Sequence, residues 1–455
     1  MKPLRVAWKK RARLYRSGVD HVGSEGILLA WHDRLVVPYY AGPGQDDIAA
    51  IHDRSGDVLQ TIPTPKPHTH HRSPIGPVIT WPDETLVAGI CGEQLQVMWI
   101  DPDGASHVVT TEQQLKRDTR FLVTPSSDSE VFVSMQSTLA SQDGLGWTLD
   151  RRLDSMYGTA RLAPFEQYEY TSQRIARDGV KWQVPARVVC VADDIAICEQ
   201  GSGITRQIAG RRITDGVEIW QREGIDAFVL GTIPLPAWSD DRVYVLDRGE
   251  RRRQSWAREI ETANIHGISA DQPMRTILSV RATTRARTEQ PITAPSLVRC
   301  LSTKTGEVQW EAALDGDVVS FYSHATWVAV VVAGTPGFAQ IWRHDGTILA
   351  KGEVAALEPS DTSWWPPDAA RWPCIAHGDA ENVYMAQNRS KAQGGSRLYE
   401  AALARPEQPI WETPLPVPCV HMPLFRWLRL LNRVPIAFTK DAAFLRWGKQ
   451  LYGFL

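Results

Sequence analysis

The stretch Leu301-Ser-Thr-Lys-Thr-Gly306-Glu-Val-Gln-Trp310-Glu-Ala-Ala-Leu314 constrains the fold more than any other part of the chain, because it reads as a strand, a tight turn and a second strand carrying a large aromatic. The pattern recurs. Arg212-Ile-Thr-Asp-Gly216-Val-Glu-Ile-Trp220 keeps the same Gly-to-Trp offset. Ile51-His-Asp-Arg-Ser-Gly56-Asp-Val-Leu59, Trp99-Ile-Asp-Pro-Asp-Gly104 and Ile341-Trp-Arg-His-Asp-Gly346-Thr-Ile-Leu349 keep the turn without the second Trp. An apolar run, an Asp or Thr able to bond its own backbone, a Gly at positive φ and an alternating segment together specify a hairpin. A second apolar run precedes each hairpin, so the repeat unit is a four-stranded antiparallel sheet. One such sheet cannot bury its faces alone, and a degenerate repeat about 40 residues long is the signature of propeller blades.

The expected fold is therefore all-β, a β-propeller of seven or eight four-stranded blades, with a long insertion in one blade and short helical decorations. Blades are placed at about 22–62, 75–111, 119–154, 185–222, 232–314, 318–354 and 372–414. The last segment, 417–455, supplies a closing blade if residues 4–15 add its missing strand, which hides both terminal edges. A propeller of this size is one domain, here 1–455, although 455 residues would ordinarily suggest two or three. Eighteen Trp in the chain fit one flat wedge per inter-blade contact better than a set of ligand-stacking sites.

Asp215-Gly216-x-x-x-Trp220 and Thr305-Gly306-x-x-x-Trp310 resemble the tryptophan-docking motif of the quinoprotein (PQQ)-like β-propeller repeats, the weaker Gly turns extend the resemblance over most of residues 20–415, and the missing docking Trp elsewhere leaves a Trp-Asp-like propeller as the alternative. The resemblance implies that Gly216 and Gly306 make turns between outer strands and that Trp220 and Trp310 wedge against adjacent blades. It does not import the quinoprotein enzyme. That chemistry goes with a bound Ca²⁺, a quinone and a vicinal Cys pair, whereas Cys91, Cys190, Cys198, Cys300, Cys374 and Cys419 are never adjacent. Each lies in or beside an apolar run, which reads as a buried thiol. No cofactor is expected.

Other features narrow the function. A net charge of −2 disfavours a body that binds nucleic acid broadly. The N-terminal Met1–Arg16 is basic without the apolar core of a secretory signal, and no 18-residue apolar run occurs, so a cytoplasmic location without a membrane span is expected. The chain has no nucleophile elbow, no phosphate-binding Gly-rich loop and no His-Glu-x-x-His. No catalytic residue is assigned.

Three segments depart from the blade pattern. Residues 156–181, with Tyr157, Phe165, Tyr168 and Tyr170 among charged groups, are expected to connect two blades. Residues 248–289 form an insertion with nine Arg, no Lys and five Asp or Glu. In it Arg251, Arg252, Arg253 and Trp256 offer forked donors beside an aromatic plate, suited to an acidic partner. Residues 425–433 are basic and apolar at helical spacing, a candidate capping helix. His68, His70 and His71 read as part of an exposed inter-blade loop and no metal is expected; as metal ligands they are the alternative, with alternation placing His68 and His70 on one side of an extended chain.

The sequence favours a noncatalytic scaffold that holds other proteins in a multi-component bacterial assembly, by analogy with propellers that work beside AAA+ ATPase and von Willebrand A-type proteins. The alternative is a propeller enzyme, a hydrolase, lyase or oxidoreductase, with its site at the central channel.

Overall fold

Local chemistry closes the outer hairpins as the sequence predicts. Gly56, Gly216, Gly306 and Gly346 adopt φ of +77°, +75°, +68° and +89°. Asp53, Asp215 and Asp345 each accept a backbone N–H two or four residues on, from Asp57 (2.8 Å), Val217 (3.0 Å) and Thr347 (2.9 Å). In the Thr305 turn the side-chain oxygen accepts the Glu307 N–H at 3.3 Å. A register shift follows in each pair of strands, between Ile51 and His52, Gly210 and Arg211, Cys300 and Leu301, and Ile341 and Trp342. This is the bulge expected where a positive-φ residue ends a hairpin loop.

The computed structural model describes residues 5–11, 28–31, 34–38, 47–63, 79–80, 86–91, 94–101, 105–114, 120–127, 130–138, 168–192, 194–200, 205–225, 228–229, 231–232, 235–236, 238–239, 241–247, 296–334, 336–354, 372–388, 395–415, 436–439, 442–447 and 450–455. Among them every regular element is a strand. The expected helix at 425–433 and the candidate ligands His68, His70 and His71 lie outside the described residues.

The described strands form eight antiparallel sheets of four or five strands and one two-stranded pair. Sheet 1 is Leu29–Trp31, Arg34–Pro38, Asp47–His52 and Val58–Pro63. Sheet 2 is Ile79–Thr80, Leu86–Cys91, Gln94–Ile100 and Ser106–Gln114. Sheet 3 is Arg120–Ser127, Glu130–Thr138, Tyr168–Ala176 and Gly179–Val184. Sheet 4 is Arg187–Ala192, Ile195–Gln200, Thr205–Arg212 and Glu218–Ile225. In sheet 5, Phe228–Val229 and Trp238–Ser239 both pair with Arg242–Asp247, followed by Ser296–Ser302 and Val308–Leu314. Gly231–Thr232 and Leu235–Pro236 make the separate pair. Sheet 6 is Asp317–Ser323, Trp327–Ala333, Gly337–Arg343 and Ile348–Val354. Sheet 7 is Cys374–Gly378, Asn382–Gln387, Arg397–Ala402 and Pro409–Pro414. Sheet 8 combines the two ends of the chain: Ile436–Phe438, Ala443–Trp447 and Gln450–Phe454 are joined by Val6–Arg11, with Lys9 opposite Tyr452 and Arg11 opposite Gln450.

Of residues 156–181, expected to be an inter-blade connection, 156–167 lie outside the described residues and 168–181 belong to a sheet. Tyr168–Ala176 and Gly179–Val184 are the third and fourth strands of sheet 3, paired residue by residue from Glu130 opposite Ala176 to Thr138 opposite Tyr168. The reason lies in the buried face. It carries Ser134 and Ser172, whose hydroxyls lie 2.7 Å apart and bond the backbone of Ala186, just before sheet 4, and of Val188 within it, so the strand lacks the apolar alternation that marks the others.

Burial runs in layers. Second strands are sealed, as in Trp327–Ala333, while fourth strands alternate, as in Val308–Leu314. Between sheets the side chains interdigitate. Tyr244, Val298 and Leu314 of sheet 5 pack on Phe321, Val328 and Trp342 of sheet 6, and Leu445, Tyr452 and Phe454 of sheet 8 pack on Leu398 of sheet 7. First strands of neighbouring sheets lie beside one another, as Asp317–Ser323 does beside Cys374–Gly378.

Candidate functional site

The tryptophans foreseen as wedges dock in a repeated geometry. Trp220, on the fourth strand of sheet 4, lies over Gly306 of sheet 5, and its Nε1–H donates to the Thr303 carbonyl at 2.7 Å. Trp310 of sheet 5 repeats this over Gly346 of sheet 6, donating to His344 at 2.8 Å. Gly216 lies beneath Trp182 of sheet 3, which donates to Ile213 at 2.6 Å. Trp8, from the N-terminal strand of sheet 8, covers Gly56 of sheet 1 and donates to Arg54 at 2.7 Å. Between sheets 2 and 3 an imidazole stands in. His107 Nε2 lies 2.7 Å from the Arg177 carbonyl, and because a carbonyl only accepts, that nitrogen carries the proton. Ion pairs flank two of these contacts, Lys10 with Asp57 at 2.5 Å and Arg177 with Asp101 at 2.5 Å.

Trp8, Trp182 and His107 escape the motif read from the sequence. Trp182 stands three residues after Gly179, not four, and Trp8 has no Gly turn ahead of it, because the strand it pairs with is Gln450–Phe454. The only signal for Trp8 is its place in an alternating basic strand.

Arg251, Arg252, Arg253 and Trp256 lie outside the described residues, but the strands to which their segment is attached are placed. Residues 248–295 fall between the second and third strands of sheet 5, where Arg299 bonds Asp247 at 2.6 Å and Glu311 at 3.2 Å across the sheet. Residues 139–167 fall at the same point of sheet 3. Residues 64–78, with His68, His70 and His71, follow the fourth strand of sheet 1, and 416–435 follow the fourth strand of sheet 7. Antiparallel alternation puts second-to-third and sheet-to-sheet connections at one end of every sheet and the docking turns at the other. All these segments therefore join the fold at a single end, opposite the Gly turns.

At the turn end, titratable and aromatic groups gather on sheets 5 to 8. The Tyr244 hydroxyl donates to His344 Nδ1, whose Nε2–H reaches the His324 carbonyl at 2.9 Å. The Tyr384 hydroxyl sits 3.0 Å from Asp379 and 3.2 Å from Glu400, which also accepts from Trp411. Burial and then the two carboxylates push the Tyr384 phenol far up. Burial pulls His377 down to about 4, so its ring is neutral. Burial raises Asp379, but backbone N–H groups of Glu381 and Asn382 outweigh it and hold the carboxylate below its ordinary value. These groups are engaged in turns and sheet-to-sheet contacts, which is a structural use. Among the described residues no group of three His, Cys, Asp or Glu could hold a metal ion. Cys190, Cys198, Cys300 and Cys374 are buried free thiols, with burial raising Cys198 and Cys300 to about 12. No helix among the described residues is long and apolar enough to cross a membrane.

No protein-family model matches the chain, and no curated protein sequence matches it. Solved structures do. The C-terminal WD40 domain of Sif2 is similar over 100% of this chain and 98% of that one, with a TM-score of 0.50 and 9% identity. The computationally designed Ika8 protein (98% and 99% covered, TM-score 0.49, 11% identity) and the Dos1 propeller (99% and 95%, 0.48, 8%) are also similar. At 9% identity the likeness to the Sif2 domain speaks of fold alone, and with the four-stranded sheets it makes this chain a β-propeller.

Proposed function

We propose that the eight sheets are the blades of one closed ring spanning 1–455 and that the ring is a noncatalytic scaffold for protein partners. The observation that supports the scaffold most is the common end. The Arg-rich segment 248–295, the segments 139–167 and 416–435 and the His-bearing 64–78 all join the fold there, so their side chains have a shared platform from which to meet a partner. At the opposite end the carboxylates and imidazoles of sheets 6 and 7 are held in turn and inter-sheet hydrogen bonds, an arrangement that suits a rigid frame better than acid–base work. The quinoprotein-like docking of Trp220 and Trp310 fits that frame. We place the protein in a cytoplasmic, multi-component bacterial assembly, with AAA+ ATPase or von Willebrand A-type proteins as the partners that the analogy offers.

The test is charge reversal. Replacing Arg251, Arg252 and Arg253 together by Glu leaves thermal unfolding unchanged and removes a specific acidic partner from a side-by-side pull-down with mass spectrometry. Retention of every wild-type partner would move the contact surface elsewhere on the ring.

A further inference from the structure

Three consecutive first strands end in the same backbone turn. His324, Asp379 and Thr439 each donate an N–H to the carbonyl three residues on, of Trp327, Asn382 and Ala442, at 2.8, 3.0 and 2.9 Å. A ring stands two residues before His324 and Asp379, namely Tyr322 and His377, and one residue before Thr439, namely Phe438. First strands of adjacent sheets run side by side, and these three rings fall together at the turn end of their strands. The rings touch. The His377 imidazole stacks on Phe438 at 4.8 Å and 13°, and the Tyr322 plane stands across it at 79°, with the hydroxyl 3.3 Å from Nδ1. All three are half-buried, unlike the sealed Trp327 and Tyr384 behind them.

The charge that the described residues bring to this corner is carboxylate. Asp379 lies two residues beyond His377 and is bound by N–H and O–H donors, from the Glu381 and Asn382 backbone, the Tyr384 hydroxyl and the Asn382 side chain. No Lys or Arg among the described residues pairs with it. Glu400 accepts from Tyr384 on the inner side. Aromatic faces at right angles, backed by carboxylate, attract an organic cation by ring quadrupole and charge together. Imidazole takes part as a neutral ring.

We propose that Tyr322, His377 and Phe438, with Asp379, form a docking site for the guanidinium or ammonium group of an Arg or Lys side chain on a basic segment of a partner protein. The inference rests on the scaffold reading and gives it a second contact, of opposite charge preference and at the opposite end from the Arg-rich segment.

The experiment uses the full-length chain and a fluorescein-labelled heptapeptide in which Arg and Lys alternate with Gly, followed by fluorescence polarisation at low and physiological salt. Saturable binding is expected, displaced by tetramethylammonium and absent for the Glu counterpart. Phe438→Leu removes the ring at similar volume, and Asp379→Asn removes the charge while keeping the turn acceptor. Each weakens binding at least tenfold, with circular dichroism melts confirming the fold. Equal affinity in the wild type and both variants, or equal binding of the acidic peptide, overturns the proposal. Saturation by tetramethylammonium without peptide binding overturns it in favour of a free small cation. Because the probe is a defined peptide, failure here leaves the charge-reversal result at Arg251–Arg253 untouched, and failure there leaves this result untouched.

Discussion

Substituting Gly306 by Ala probes the docking contact at its tightest point. Gly306 has φ +68°, a conformation that costs an L side chain about 1–2 kcal/mol. An added Cβ would also stand 2.5 Å from Cε3 and 2.6 Å from Cδ2 of Trp220. Trp220 cannot retreat freely, since its other side meets Gly210 and its Nε1 is fixed on Thr303. Overpacking of this kind costs about 1–3 kcal/mol, so Gly306→Ala should destabilise by about 2–5 kcal/mol in all. Gly395 is the control. Its φ is +79° but no atom lies within 4 Å of a Cβ there, leaving only the backbone cost of about 1–2 kcal/mol. Urea unfolding followed by circular dichroism gives both values. A double-mutant cycle with Trp220→Leu then isolates the contact, because removing the indole lifts the clash and the two substitutions should couple by about 1–3 kcal/mol. Gly306→Ala no worse than Gly395→Ala, or strict additivity with Trp220→Leu, would refute the docking argument.

Other outcomes follow from the same contacts. Folding depresses His377 from 6.5 to about 4 through burial, so the unfolded chain binds more protons between those values. Its contribution to stability is complete above about pH 6.5 and falls as the pH drops toward 4; His377→Phe should flatten that part of a melting profile, and an unchanged slope would show that another group controls it. Asp345 is held below 3.8 chiefly by the Thr347 N–H, so its contribution is present above that value and is lost as the pH falls through the lower folded-state pKa. Asp345→Asn, which keeps an acceptor, should reduce the loss below about pH 4, as read from the same melts. Deleting residues 1–11 strips the fourth strand from sheet 8 and uncovers Gly56, so size-exclusion chromatography with light scattering should show association through the bared Gln450–Phe454 edge. A monomeric truncation with an unaltered melt would contradict that pairing.

The sequence exposes the outer hairpins of sheets 4, 5 and 6 because their turns need particular chemistry. A positive φ calls for Gly216, Gly306 or Gly346, and the Asx or Thr oxygen one residue earlier leaves a visible mark. The partner of each indole is not visible. Trp220 meets Thr303 across 83 residues, and the offset from Gly216 that marks it as a wedge does not say which carbonyl it meets. Sheet 3 is obscure for a different reason. Its third strand buries Ser172 and Gln173, polar groups satisfied only once sheet 4 and the fourth strand are in place, so its alternation reads as a loop. The ring corner at Tyr322, His377 and Phe438 is likewise a product of three first strands meeting, which no single segment reveals. The Arg-rich segment is the converse case, plain in composition, while its end of the ring is set by strand order alone.

Closure of the ring by the N-terminal strand is the claim from which the single platform follows, and a zero-length crosslink tests it directly. Lys10 Nζ lies 2.5 Å from Asp57 Oδ1 across the contact between sheets 8 and 1, and Lys181 with Asp178 at 2.5 Å serves as an internal control within sheet 3. Carbodiimide treatment, isolation of the monomer and peptide mass spectrometry should recover an amide between Lys10 and Asp57 alongside the control. Recovery of the control in the monomer with the Lys10–Asp57 amide missing, or confined to crosslinked dimers, would contradict closure within one chain.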